Sequence, residues 1–254
     1  MYDDYEALNV TCSHGIVRVT MNNPPLNAAS VRMHDELLRV FAEAQIDDAC
    51  TLLILTGAGK AFSAGGDFEL MRQALDDPAL RNRLVSCGAR LVQTLLGFDK
   101  PTLARVNGHA IGLGATLALL CDVVIASQDA KIGDPHVAVG LSAGDGGSLI
   151  WPLLLGYARA RHHLLTGELL TARQAQDIGL IHKAVAQDTL DAEVDDYAAR
   201  LMSLSSLAVR ATKRSINMPL CAQAAALADA HMGLELQTMG SREHREAMMA
   251  LVSR

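Results

Sequence analysis

Aromatic residues are scarce in this sequence: four Phe, four Tyr and one Trp make up 4% of 254 residues. That excludes a core built on stacked rings, so Leu, Val, Ile, Ala and Met must fill the interior. Cysteine is sparse too, with five residues at positions 12, 50, 87, 121 and 221. Their number is odd and no C-x-x-C pair occurs, which excludes a disulfide framework or a zinc ribbon. It points to reduced structural thiols in a cytoplasmic protein. The nine histidines include no H-E-x-x-H spacing, and the adjacent His162 and His163 are expected to point apart on a helix, so no metal is expected. Excess positive charge is also missing. The formal net charge of −6 argues against a nucleic-acid partner. The acidic N-terminus has neither the basic nor the apolar stretch of a secretory leader. The longest apolar run, 110–121, is too short to cross a bilayer, so no membrane partner is expected. There is no low-complexity linker and no internal repeat.

What is present reads as a globular chain. Half of the residues are apolar and a fifth are charged, and the length suits one large domain or one domain with a small extension. Positions 7–13 and 15–21 alternate around Ser13-His14-Gly15, the pattern of a hairpin. Ser30 is placed to cap a helix that carries Val31, His34, Leu37, Leu38 and Phe41 at helical spacing. The continuous apolar run 51–56 predicts a buried strand, followed by a glycine-rich loop over 57–67 and a helix. Positions 102–106 predict a second strand, Asn107-Gly108 a turn, Gly114 onward a small-residue helix, and 122–126 a further strand. From Gly146 the pattern is mostly helical, broken at Gly156, Gly167 and Gly179, with one short strand near 181–185. The expected division is an α/β core over 1–195 and a helical region over 196–254.

Two glycine-rich loops carry the chemistry. The first is Lys60-Ala61-Phe62-Ser63-Ala64-Gly65-Gly66-Asp67, and the second runs from Asn107-Gly108-His109 through Ala110-Ile111-Gly112-Leu113-Gly114. Each lies between a strand and a helix, where glycine admits backbone conformations closed to other residues and lets a ligand approach the main chain. The first turn of each following helix has unpaired N–H groups and a partial positive charge. Each loop is either a tight turn or half of an anion-stabilising pair of amides. Asp67 fits a cap for the helix after the first loop, and Asp122 fits a structural anchor at a strand start.

These loops, together with Pro25-Leu26-Asn27-Ala28, Cys121-Asp122-Val123-Val124-Ile125-Ala126 and Leu165-Thr166-Gly167, resemble the crotonase family, also called the enoyl-CoA hydratase/isomerase family. The resemblance runs from about Asn9 into the C-terminal helices. It implies an α/β fold, a spiral of ββα units with a C-terminal helical region that trimerises, as a homotrimer or a dimer of trimers. It implies an acyl-CoA thioester as substrate, with coenzyme A part of that substrate and no separate cofactor. Carried over by position, the backbone N–H groups of Gly66 and Leu113 form the oxyanion hole, and Leu26, Lys60 and Ala64 lie along the CoA site. Lys60 is either a phosphate partner or a solvated loop lysine. Substrate selection is expected around 71–95 and near Trp151.

The sequence departs from the family at its catalytic positions. Well-characterised hydratases of this family use two glutamates, one to take a proton from water and one to supply a proton. Thr116 and His136 stand at those two positions. Thr116 either bonds back to its own helix or touches the substrate, directly or by holding a water. His136 lies in Asp134-Pro135-His136-Val137-Ala138-Val139-Gly140-Leu141-Ser142-Ala143-Gly144-Asp145-Gly146-Gly147. Histidine exchanges protons near neutral pH, and Asp145 is either its acid/base partner or the cap of the helix that follows. Asp134, before proline, reads as a turn residue. The His136/Asp145 spacing resembles a branch of the family that includes β-diketone hydrolases, which cleave a carbon–carbon bond without CoA. The readings are therefore an acyl-CoA hydratase or isomerase, a hydrolase of a small diketone, or a catalytically weak acyl-CoA-binding protein.

Overall fold

Two sheets share the strands of this chain, seen here in a computed structural model that describes residues 1–252. The first sheet begins with the expected hairpin, β1 (Leu8–Ser13) and β2 (Ile16–Met21). Its turn uses His14 and Gly15, both at positive φ (50° and 82°), as a two-residue turn between right-twisted strands requires. β2 then pairs in parallel with β3 (Leu52–Gly57), which is buried along its whole length because β5 (Thr102–Val106) lies on its other side. Strands covered on both faces read as continuous apolar runs, and full burial of each large aliphatic side chain here contributes about 1.5–3 kcal/mol. β7 (Val123–Ser127) and β10 (Lys183–Val185) complete the order β1-β2-β3-β5-β7-β10.

The second sheet was not legible as strands. β4 (Ala61–Ser63), β6 (His109–Ile111), β8 (Lys131–Gly133) and β9 (Leu170–Thr171) pair in the order β4-β6-β8-β9. Two or three residues cannot establish a periodicity, so β4 and β6 read as parts of the two glycine-rich loops. Their presence creates the repeat. β3 leads to β4 and then α2 (Phe68–Ala74), and β5 leads to β6 and then α4 (Leu113–Leu119). These are successive turns of the implied ββα spiral.

Helices start where the sequence places caps. Ser30 accepts a hydrogen bond from Met33 N–H at the head of α1 (Val31–Ile46), and Asp67 accepts from Leu70 N–H at the head of α2. Between them in space lies α3 (Pro78–Gly97), capped by Asp77. α5 (Gly147–Thr166) is broken at Gly156, which sits at φ 73°, ψ 160°, and ends at Gly167 in the left-handed region.

The C-terminal helices return to the core. After α6 (Ala172–Asp177) and α7 (Leu190–Met202), the long α8 (Ser206–Met239) packs along α3. Lys213 on α8 is buried and pairs with Asp122 at 2.8 Å, and Asp122 also accepts from Thr102 N–H and Oγ1–H. Asp122 is thus the structural anchor its position suggested, and the buried Lys213 cation is compensated by that carboxylate and by its hydrogen bond to the Lys100 carbonyl. Further along, Met239 packs with Val85 and Leu141, and His244 of α9 (Arg242–Val252) donates through Nδ1 to the Val139 carbonyl at 2.6 Å. The helical tail therefore reaches the segment 136–141.

Candidate active site

The two glycine-rich loops meet main chain to main chain. Gly65 has φ +85°, and a Cβ there would lie 2.6 Å from the Ile111 carbonyl oxygen. A Cβ on Gly114 would lie 2.5 Å from the Ser63 carbonyl oxygen. Both contacts exist only because these residues have no side chain. Asn27 fastens the first loop: its buried side-chain amide donates to the Ala58 and Ala61 carbonyls, and its own carbonyl accepts from Ser63 Oγ. The Gly65 carbonyl accepts from Ala29 N–H and the Gly112 N–H donates to the Gly133 carbonyl. These bonds bring the next amides, Gly66 and Leu113, to the wall of one cavity of about 120 Å³. Leu113 is the first residue of α4, so its N–H has no partner within the helix.

His136 lies on the same wall, in a 3-10 turn (His136–Val139) just after β8. Its Nδ1–H donates to Asp134, and its Nε2 is 3.4 Å from Asp145. Asp134 is therefore no mere turn residue. Its buried carboxylate fixes the imidazole so that Nε2 faces Asp145. The D-x-H spacing was the available signal, outweighed by the proline between the two residues. α5 has Gly146 as its N-cap, at φ +116°. Asp145 stands one residue earlier, where the Gly147 N–H favours its ionised form while it faces His136.

A fourth group joins from α8. Glu235 lines the cavity, is 6% exposed, and has an Oε2 without a hydrogen-bond partner. Nothing in the sequence flagged it, because it lies 90 residues beyond Asp145 in an ordinary helical stretch. Three carboxylates surrounding one imidazole set the charges. Burial pushes His136 down, but the charges of Asp145, Asp134 and Glu235 outweigh it and hold the imidazole up at about 10. Burial raises Asp145 to about 6 against the pull of His136. Burial, reinforced by the Asp145 charge, raises Glu235 to about 8. At neutral pH the cluster holds an imidazolium beside a neutral Glu235 carboxylic acid.

The raised values have a stability consequence. Glu235 binds a proton in the folded state up to about pH 8 but loses it near its ordinary 4.5 when unfolded, so the folded chain carries the extra proton in that window. Stability therefore falls as pH rises through it. Glu235→Gln removes the titration, and its Tm should fall less than the parent's between pH 5 and pH 8 in calorimetric scans. Parallel Tm curves would mean that Glu235 is ionised in the fold.

Other expected contacts fall elsewhere. Ala64 lines the cavity, while Leu26 (47% exposed) and Lys60 sit on the surface off its wall. Trp151 is wholly buried in α5, its ring 5.7 Å from that of His163, and it packs in the core off the cavity wall. Thr116 is also wholly buried and off the cavity, its Oγ1 without a partner. Its hydroxyl makes no bond back to its own helix. Thr116→Val, which keeps the shape and removes an unsatisfied hydroxyl, should leave turnover within about two-fold and Tm unchanged or higher, as measured by steady-state assay and thermal melt. His162 and His163 do not diverge as expected: their rings lie 4.9 Å apart, and with Glu168 their ligand atoms fall within 4.8 Å of one another. His34 of α1, read only as a helical-face residue, also lines the cavity.

The profile of the enoyl-CoA hydratase/isomerase family matches residues 11–254. The chain belongs to the enoyl-CoA hydratase/isomerase family. A crotonyl-CoA hydratase of Syntrophomonas wolfei is 31% identical over 256 residues, covering 98% of this chain and 96% of that protein. A probable enoyl-CoA hydratase of Rhizobium meliloti is 35% identical over 222 residues, 85% of this chain and 83% of its own length. Among solved structures, an enoyl-CoA hydratase/isomerase from Mycobacterium paratuberculosis superposes with a TM-score of 0.93 at 33% identity, covering 98% of this chain and 100% of that one. The mixed α/β architecture is thus that of the enoyl-CoA hydratase/isomerase fold. Among the described residues no helix is long and apolar enough to cross a membrane.

Proposed function

We propose that this member of the family acts on an acyl-CoA thioester through an enolate, with Gly66 and Leu113 N–H groups as the oxyanion hole. The observation that carries the reading is His136, clamped between Asp134 and Asp145 on the wall that also presents those two amides. A thioester carbonyl placed between the amides gains charge as the enolate forms, and fixed donors stabilise that charge without reorganising. Asp145, ionised, takes the proton of an attacking water, and the His136 imidazolium delivers a proton from Nε2 to the α-carbon. Hydroxide bonds to the β-carbon and the double bond is consumed. The pair replaces the two glutamates in chemical role. Self-association through the C-terminal helices, as a homotrimer or a dimer of trimers, belongs to the same proposal.

A second reading draws on the charge around the cavity. Among the described residues no Lys or Arg lines it. The adjoining cleft carries Asp4, Glu6, Asp35, Glu36, Asp67 and Glu69, and its two cations are already paired, Arg32 with Glu6 and Arg39 with Glu43. That cleft suits a phosphate-bearing substrate poorly and a small neutral diketone better. In that reaction water adds to one ketone, the carbon–carbon bond breaks, and the enolate leaves into the same two amides. His136 then protonates the carbanion carbon, giving a ketone and a carboxylate.

Calorimetric titration with free CoA and with acetyl-CoA separates the two. Micromolar binding supports the thioester reading. No heat at millimolar ligand removes it and leaves the diketone.

A further inference from the structure

The cavity has a second imidazole that the proposed chemistry does not use. His34 is 5% exposed, on the buried face of α1 beside Met33, Leu37, Val40 and Phe41, and its ring lines the cavity with Leu70, Met71 and Leu84. Its Nδ1 lies 2.8 Å from the Ser30 carbonyl oxygen. A carbonyl only accepts, so Nδ1 carries the ring proton and Nε2 bears a lone pair. Burial lowers the basicity of this ring below that of an ordinary histidine, so it stays uncharged at neutral pH. It comes from a different element than His136, Asp145 and Glu235; Leu70, Met71 and Leu84 line the same cavity, and the paired Asp35 and Arg83 lie near enough to act on its charge. Among the described residues Nε2 has no hydrogen-bond partner, so it is free to accept from a bound molecule.

We propose that His34 is a specificity-determining residue whose Nε2 accepts a hydrogen bond from a hydroxyl or N–H group on the acyl or ketone body of the substrate. The site then selects hydroxylated or aminated carbon skeletons over plain hydrocarbon ones. This rests on the reading of the cavity as a carbonyl-substrate site. It adds the chemical class of the part that does not react. A site built to bond a polar group discriminates strongly against the analogue that lacks it, because its own polar atom is then left unpaired.

The test is a matched-pair titration by calorimetry on the full-length chain. Butyryl-CoA is compared with 4-hydroxybutyryl-CoA, and 1,3-cyclohexanedione with its 5-hydroxy derivative, on the parent, His34→Leu and His34→Gln. The parent should bind the hydroxylated member of one pair about ten-fold tighter, the equivalent of one net hydrogen bond. His34→Leu should lose that preference while keeping affinity for the plain member, and His34→Gln, which retains an acceptor, should recover part of it. In nitrogen NMR, the parent's lone-pair Nε2 signal should move with the hydroxylated ligand and stay in place with the plain one. Equal affinities in the parent, or an undiminished preference in His34→Leu, overturn the proposal. If the parent binds neither pair, the functional reading itself fails, and the role of His34 falls with it.

Discussion

Asparagine at position 145 lowers turnover by about 10²–10⁴-fold, the usual range for loss of a positioned acid or base. Asp145→Asn keeps the side-chain volume and removes the carboxylate that faces His136 Nε2 at 3.4 Å. It also removes one of three acidic neighbours that hold the imidazolium, so the His136 pKa should drop, which proton NMR of the ring reads directly. His136→Ala lowers turnover by a similar factor, about 10²–10⁴-fold. The two losses should not add in the double variant, because residues that act as one unit are strongly non-additive. The stabilities differ. Asp145→Asn should melt close to the parent. His136→Ala strands the Asp134 and Asp145 carboxylates around an absent cation, and removing one partner of a buried charge pair costs about 3–5 kcal/mol. Its Tm should recover as pH falls and the stranded carboxylates take up protons. Turnover unchanged in Asp145→Asn would reduce Asp145 to a contact of the helix start.

Alanine at position 65 is the second large effect. Gly65 combines positive φ (+85°) with a Cβ position 2.6 Å from a main-chain oxygen of the other loop. A left-handed non-glycine residue costs of order 1–3 kcal/mol, and forcing an atom into a closed site costs typically about 1–3 kcal/mol more. For a chain of this size each kcal/mol lowers Tm by about 2–4 °C, so Gly65→Ala should melt roughly 10 °C lower. It should also cost turnover, since the two loops must part and the amides of Gly66 and Leu113 part with them. Gly59→Ala is the control. Gly59 is also at positive φ (+68°), but a Cβ there meets nothing within 4 Å. It should cost only the conformational strain, about 1 kcal/mol, and leave turnover alone. If the two variants melt together, the closeness of the loops carries no weight in the fold.

The site was legible in part, and the divide follows sequence distance. His136 and Asp145 lie on one glycine-rich stretch, and histidine and aspartate at a family's catalytic positions draw notice as chemistry. Asp134 was visible too, but a residue before proline reads as a turn until the buried ring beside it is seen. Glu235 and His34 were not legible. Each sits in a helix whose periodicity is satisfied with or without it, and only folding brings α8 and α1 to the same cavity. Trp151, expected near the substrate, lies in the core, because the buried face of α5 is set by packing that the sequence does not show.

The same division holds for the whole chain. Local sequence by itself determined most strands of the first sheet, through alternation in β1 and β2 and through five- to six-residue apolar runs in β3, β5 and β7. It also determined the helix starts at Ser30 and Asp67, because a capping side chain acts within three residues, and the two loops, because glycine alone permits their backbone. Tertiary structure decided the second sheet, whose strands are too short to stand without partners. It also decided the charge state of the site, because a proton on His136 or Glu235 depends on how many carboxylates share one buried volume.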